Sequence, residues 1–107
     1  MSDLVHRLTN EQTVEVVVPF GDALEQLKAA VDRGYVHVRF TGTRGGTRLG
    51  VRMDPSRSHT SGIDWQSGQG GLDIVGQLIL DDVPVRCCAS IDVSTLRGVG
   101  RLEIVGR

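Results

Sequence analysis

The chain has 107 residues, of which 23% are charged and 39% are hydrophobic, and its formal net charge is −1. This length is usual for one domain that buries a core without metals or disulfides, and the composition argues against a disordered or fibrous chain. No apolar run is long enough to cross a bilayer, and the first residues lack the pattern of a signal peptide. We therefore expect a single domain over residues 1–107, located in the cytoplasm and making no contact with a membrane.

The first third of the chain predicts an arm, a strand and a helix. Residues 1–11 are expected to form the arm, and the alternating valines within residues 13–20 are typical of a strand. Asp22 is placed to cap the helix, and Gly34 is placed to end it in a left-handed turn. The helix carries an apolar stripe of Leu24, Leu27 and Val31. Since no second helix is predicted, this stripe is expected to pack on a sheet.

The sequence FTGTRGGTRLGV, residues 40–51, predicts a β-hairpin. Gly45 and Gly46 suit a two-residue turn, because both central positions of a type I′ turn require positive φ. Pairing the strands about this turn sets Phe40 opposite Val51 and matches every apolar side chain with an apolar partner. The residues expected to face the core are Phe40, Leu49, Val51 and Met53.

The other face of the predicted hairpin is rich in arginine. The same register sets Arg39 directly opposite Arg52, with Arg48 and His37 on the same face. Like charges across a strand pair are destabilising. Three interpretations remain open: a third strand supplies acidic side chains between the arginines, the face docks on an acidic partner, or it binds the phosphate or carboxylate of a small molecule. Nucleic acid is disfavoured, because the chain is slightly acidic and nearly lacks lysine.

Residues 54–71 predict a long loop that is rich in serine and glycine. Loops of this length are often functional or mobile. Trp65 is a candidate anchor for a protein partner; alternatively, it packs down with Ile63 and pins the loop to the core. His59 and Asp64, in the same segment, are candidate proton carriers.

The last third of the chain predicts a three-stranded meander. Its first two strands reverse at Asp81 and Asp82, and pairing about this turn makes one face wholly apolar or small. The opposite face also contains apolar side chains, which predicts that the long loop or a second copy of the chain covers it. The final strand, residues 100–105, is expected at an exposed or intersubunit edge.

Few side chains suggest catalysis. The three histidines show no metal-ligand spacing, so no metal site is expected. The adjacent Cys87 and Cys88 are expected to be reduced, and Cys88 is a candidate nucleophile with Arg86 nearby. The stretch TRGGTRLG lacks the lysine and hydroxyl residue of a phosphate-binding loop, and no cofactor is expected.

The predicted fold is α+β, a mostly antiparallel sheet of about six strands with one helix packed on one face. The favoured function is that of a small non-enzymatic accessory or binding protein, either engaging an acidic partner or anionic ligand or forming a homo-oligomer. The residues predicted to bind are Arg39, Arg48, Arg52, His37 and Trp65. The alternative is a small enzyme acting on an anionic molecule, with the 54–71 loop as a lid. A cavity between that loop and the arginine face would favour the enzyme.

Overall fold

The computed structural model describes residues 3–18 and 22–105, which form one seven-stranded sheet and two short helices. The helices are α1 (Asp3–Leu8) and α2 (Ala23–Arg33). The strands are β1 (Gln12–Val17), β2 (Tyr35–Phe40), β3 (Thr47–Arg52), β4 (Ile63–Asp64), β5 (Gln69–Leu80), β6 (Val83–Asp92) and β7 (Arg97–Ile104). Their order across the sheet is β3-β2-β1-β7-β6-β5-β4, and all neighbouring strands are antiparallel.

The sheet is curled, and its inner face encloses an apolar core. The curl brings the end of β3 against β5, where the Asp54 N–H donates to the Val75 carbonyl at 2.7 Å. A side chain at Gly76 would clash with the Arg52 carbonyl, so glycine permits this close approach. The prediction of an α+β fold with a mostly antiparallel sheet is therefore confirmed. The predicted count of six strands and one helix on a face is wrong, because β4 and α1 were not foreseen and the sheet is curled.

Helix α2 forms as its sequence predicts. The Asp22 carboxylate accepts hydrogen bonds from the N–H groups of Leu24 and Glu25 at 3.0 and 3.3 Å, which satisfies donors that the first turn leaves free. Gly34 ends the helix with a φ of 74°. Leu27 is fully buried against the sheet. The helix therefore supplies one wall of the core.

Helix α1 lies where the sequence predicted only an arm. Its signal is two apolar residues, Val5 and Leu8, which lie three positions apart on one face and are both fully buried. A helix of six residues is too short to show a clear periodicity in sequence. Residues 1 and 2 of the predicted arm lie outside the described residues, as do residues 19 and 20 of the first predicted strand.

The β2–β3 hairpin has a register that differs from the predicted one. Phe40 pairs with Thr47 instead of Val51, so a six-residue loop replaces the two-residue turn. Gly45 does have positive φ as predicted, as does Gly46. The N–H of Gly42, which the predicted register would turn towards β3, donates to the Gln12 side chain instead. The shift of four residues is even, so the four residues predicted to face the core are buried although their partners differ.

The C-terminal meander follows the predicted pairing between its first two strands. Leu80 pairs with Val83 and Leu72 with Ile91, and both residues of the Asp81-Asp82 turn have positive φ. The position predicted for the last strand is wrong. β7 lies between β1 and β6 in the centre of the sheet, and it begins earlier than expected, at Arg97, which pairs with Asp92 of β6 and Glu15 of β1.

We expect the central position of β7 to make its inward side chains important for stability. Leu102 is 1% exposed, whereas Ile104, two residues along the same face, is 41% exposed. Leu102→Ala should lower the free energy of unfolding by about 3 kcal/mol, because it leaves a cavity in a packed core. Ile104→Ala should cost about 1 kcal/mol, because its side chain is already partly in water.

Urea unfolding followed by the fluorescence of Trp65 measures both variants under the same conditions. Equal losses of stability in the two variants would contradict the central placement of β7.

Candidate functional site

The face of the sheet that is turned away from the core, hereafter the outer face, carries most of the charged strand residues. They alternate with the buried residues along each strand. The arginines of the outer face are Arg39, Arg48, Arg52, Arg86, Arg97 and Arg101, and its acids are Glu15, Asp73, Asp92 and Glu103. Six arginines against four acids leave this face with a net positive charge.

Glu15, at the centre of the sheet, neutralises two of these arginines. Its carboxylate lies 2.8 Å from the guanidinium of Arg39 on β2 and 3.4 Å from that of Arg97 on β7. Arg39 also donates to the Gly45 carbonyl at 3.2 Å. The first of the three interpretations, in which a third strand supplies an acid, therefore holds for Arg39, but the acid lies between Arg39 and Arg97 and not between the arginines of the hairpin.

The two arginines of β3 lack such neutralisation. The residue opposite Arg39 on β3 is Arg48, not Arg52 as the predicted register had it, and Arg52 lies opposite Tyr35. Among the described residues neither Arg48 nor Arg52 forms an ion pair, and both are exposed. His37 lies beside them and contacts Tyr35 edge to face, with 5.3 Å between ring centroids.

A second acidic centre, Glu103, organises the other half of the outer face. It lies 2.8 Å from the Arg101 guanidinium and 3.4 Å from that of Arg86. The Cys88 thiol donates to the same carboxylate at 3.7 Å. The hydrogen bond from Arg101 is the largest cause of a lowered pKa at Glu103.

The environment of Cys88 keeps its thiol protonated. Burial raises the pKa of Cys88, and the adjacent Glu103 carboxylate raises it further. Burial also raises the pKa of the neighbouring Cys87 to about 12. A nucleophilic cysteine requires the thiolate, so this environment does not suit catalysis by Cys88.

The structure brings His59 and Cys88 to one shallow cavity of about 280 Å³ on the outer face. Arg57 and Arg101 also line this cavity. His59 exchanges two main-chain hydrogen bonds of 3.0 Å with Asp73 and so extends the sheet beyond β5. This part of the predicted loop is therefore bound to the sheet edge.

Asp64 and Trp65 lie away from that cavity. The Asp64 carboxylate accepts hydrogen bonds from the N–H groups of Gln66 and Ser67, and these bonds lower the pKa of Asp64, with Ser67 contributing most. Trp65 is half-buried and packs against the core, as in the alternative in which it pins the loop. The residues predicted as site members thus fall into separate places instead of forming one constellation.

Sequence reasoning missed the acidic centres of the outer face. Arg101 and Glu103 do alternate with buried residues along β7, which was a usable signal for an outward charged row. The role of Glu15 depends on β1 pairing with both β2 and β7, and the pairing with β7 joins distant parts of the chain. No local pattern indicates that pairing.

The described residues contain no group of three or more histidine, cysteine or acidic side chains that could hold a metal ion. Within residues 3–18 and 22–105 there is also no helix with the length and apolar character needed to span a membrane. Comparison of the chain with protein-family models and with curated protein sequences finds no match. Evidence on function therefore comes from the geometry of the site.

Two arginines that face each other should differ in their contribution to stability. Arg39→Ala removes a 2.8 Å bond to Glu15 and should lower the free energy of unfolding by about 1 kcal/mol. Arg48→Ala should change it by less than about 0.5 kcal/mol, or raise it slightly, because it relieves repulsion with Arg39. Chemical denaturation at low and high salt measures both, and the difference should shrink as salt screens the charges. Equal changes in the free energy of unfolding would show that the ion pair with Glu15 does not make Arg39 more stabilising than Arg48.

The protonated state of Cys88 predicts slow alkylation. At pH 8 its reaction with iodoacetamide should be slower than that of an unperturbed thiol, because its pKa lies above the ordinary 9.0. Glu103→Gln should accelerate the reaction several-fold, since the remaining Arg86 and Arg101 favour the thiolate. Mass spectrometry of the Cys88 peptide gives the rate, with Glu25→Gln on α2 as the control. A rate unchanged by Glu103→Gln would exclude Glu103 as a cause of the raised pKa of Cys88.

Proposed function

We propose that the protein is a non-enzymatic binding protein that engages an acidic protein partner through the β3 side of its outer face. The observation that carries this proposal is the lack of an ion pair at Arg48 and Arg52 among the described residues, although Arg39 and Arg97 share Glu15. An arginine pair across two strands costs stability in the free protein, and an acidic partner would remove that cost. Arginine suits this role because its planar guanidinium binds carboxylates in a bidentate manner.

A protein partner has more support than a small anionic ligand. The cavity that borders Arg52 has a volume of about 650 Å³ and is lined by Asp32 as well as Arg33. It also lies at the C-terminal end of α2, where the helix dipole is negative and disfavours anions. Arg48, which does not line this cavity, is exposed on the sheet surface and is accessible to a large partner.

The alternative function, an enzyme with the 54–71 segment as a lid, has less support. Ser58 and His59 are held on β5 by hydrogen bonds of 3.0 Å to Val75 and Asp73. Two cavities border this segment: one of about 280 Å³ is lined by Arg57 and Arg101, and one of about 650 Å³ is lined by Pro55, Ser58 and Thr60 together with Arg52. The second lies between the segment and a predicted binding arginine, as the enzyme would require, but Asp32 and the C-terminal end of α2 at this cavity disfavour an anionic substrate. A lid needs main-chain freedom that these bonds remove.

Self-association is a further prediction, and it rests on Ile79. This side chain is 72% exposed near the tip of the β5–β6 hairpin, whereas Val75 and Cys88 on the same face are half-buried. Burial of this side chain between two copies would remove apolar area from water, which favours association. Sedimentation at tens of micromolar should show a dimer that Ile79→Asp dissociates. A monomer in both proteins would contradict the prediction.

Charge reversal on β3 tests the proposed function. The native protein should capture a partner with an acidic surface from the cells that naturally express the chain. The double variant Arg48→Glu, Arg52→Glu should lose this partner. The matched control is Arg7→Glu, Lys28→Glu, which makes the same charge change on the exposed sides of the helices. Quantitative mass spectrometry of the captured proteins, repeated at high salt, measures the loss. Equal capture by the two double variants would overturn the proposal.

A further inference from the structure

β3 is a terminal strand of the sheet, and its outward main-chain groups can be assigned from one hydrogen bond. The N–H of Met53, just beyond β3, donates to the Gly34 carbonyl of the β2 side at 2.8 Å. In an antiparallel pair the residues that bond to the partner strand alternate with residues that do not. Thr47, Leu49 and Val51 therefore bond to β2, and the intervening residues turn their N–H and C=O groups away from it.

This edge is closed at one end and open at the other. The Arg52 carbonyl lies against Gly76, and the following Asp54 N–H donates to Val75. Before that junction, where β5 packs against Val51 and Arg52, Arg48 and Gly50 turn their N–H and C=O groups away from β2, and no strand in the described part of the chain pairs with β3 on that side. Unpaired edge groups of this kind are a template for another strand.

We propose that the acidic partner binds by adding a β-strand to the open edge of β3. This inference rests on the proposed function and specifies its geometry. A strand added beside Arg48 and Gly50 places every second side chain on the outer face next to Arg48, on the same face as Arg52, where carboxylates are favoured. Its intervening side chains lie on the inner face beside Leu49 and Val51, where apolar residues are favoured. The partner strand therefore alternates acidic and apolar residues.

A second copy of this chain is disfavoured at the same edge in one register. Antiparallel pairing of two β3 strands about Gly50 would set Arg48 of each copy opposite Arg52 of the other, and like charges directly across strands are destabilising. Pairing about Leu49 would set Arg48 opposite Gly50, so the arginines oppose one register of self-pairing and add no attraction in the other. The same two side chains favour an acidic strand. Charge thus selects the partner at an edge whose main-chain groups alone would accept any strand.

Three labelled octapeptides test strand addition to the full chain by fluorescence anisotropy. A peptide alternating glutamate and valine should bind, and one alternating lysine and valine should not. A glutamate-valine peptide with N-methylated main-chain amides has the same charge and the same side chains as the first but cannot donate main-chain hydrogen bonds, and it should bind at least about tenfold more weakly.

Equal binding of the two acidic peptides would overturn strand addition while leaving the proposed function intact. Failure of the glutamate-valine peptide to bind would also overturn strand addition, and the capture experiment above would then decide the proposed function separately. Tighter binding of an eight-nucleotide single strand than of either acidic peptide would overturn both.

Two substitutions at one position separate side-chain from main-chain recognition. Arg48→Ala removes the charge, whereas Arg48→Pro removes the charge and the outward N–H, which a terminal strand tolerates in the free protein. The proline variant should bind the glutamate-valine peptide about tenfold more weakly than the alanine variant, with a similar melting temperature. In the native complex, amide hydrogen exchange at Gly50 should slow by at least about tenfold. Equal affinities of the two variants, or unchanged exchange at Gly50, would overturn the inference.

Discussion

The antiparallel pairing of β1 with β7 is the constraint on which the rest of the structure depends. It joins a strand near the start of the chain to the last strand, and it unites the three strands β1–β3 with the four strands β4–β7 in one curled sheet. Gly98 of β7 permits the close approach of β6, because a side chain there would clash with the Ser90 carbonyl, and Gly100 lies in tight contact with both β6 and Val14 of β1. Most of the buried side chains then lie on the inner face of this sheet.

The same pairing determines the electrostatics of the outer face. Across the sheet, Arg48, Arg39, Glu15 and Arg97 form one row of directly neighbouring residues on successive strands. Glu15 occupies an interior position, so it has an arginine on each side. Arg48 occupies the end of the row and has only Arg39 beside it. The unneutralised charge of this face therefore arises from the terminal position of β3, which is also where the main chain is open.

The elements that sequence could predict are those that local interactions determine. The two-residue turn at Asp81 and Asp82 fixes the β5–β6 register, and Asp22 and Gly34 fix the ends of α2. The β2–β3 register was predicted wrongly because a shift by an even number of residues preserves the alternation of apolar side chains. In the observed register the N–H of Gly42 donates to Gln12 on another strand, a partner that no local pattern indicates. An acidic neighbour on a third strand was one of the interpretations made from the sequence. Glu15 could not be identified as that neighbour, because the identification depends on how β1 pairs.

The outer face can change without endangering the fold. All buried side chains in the described part of the chain are apolar, so stability derives mainly from the core and the main-chain ladders. The charged side chains of the outer face remain partly exposed, and pairs of this kind contribute at most about 1 kcal/mol each. A substitution at Arg48 or Arg52 therefore alters the charge presented at the edge of β3 with little effect on folding. Under the proposed function, recognition therefore depends on residues other than those that stabilise the core.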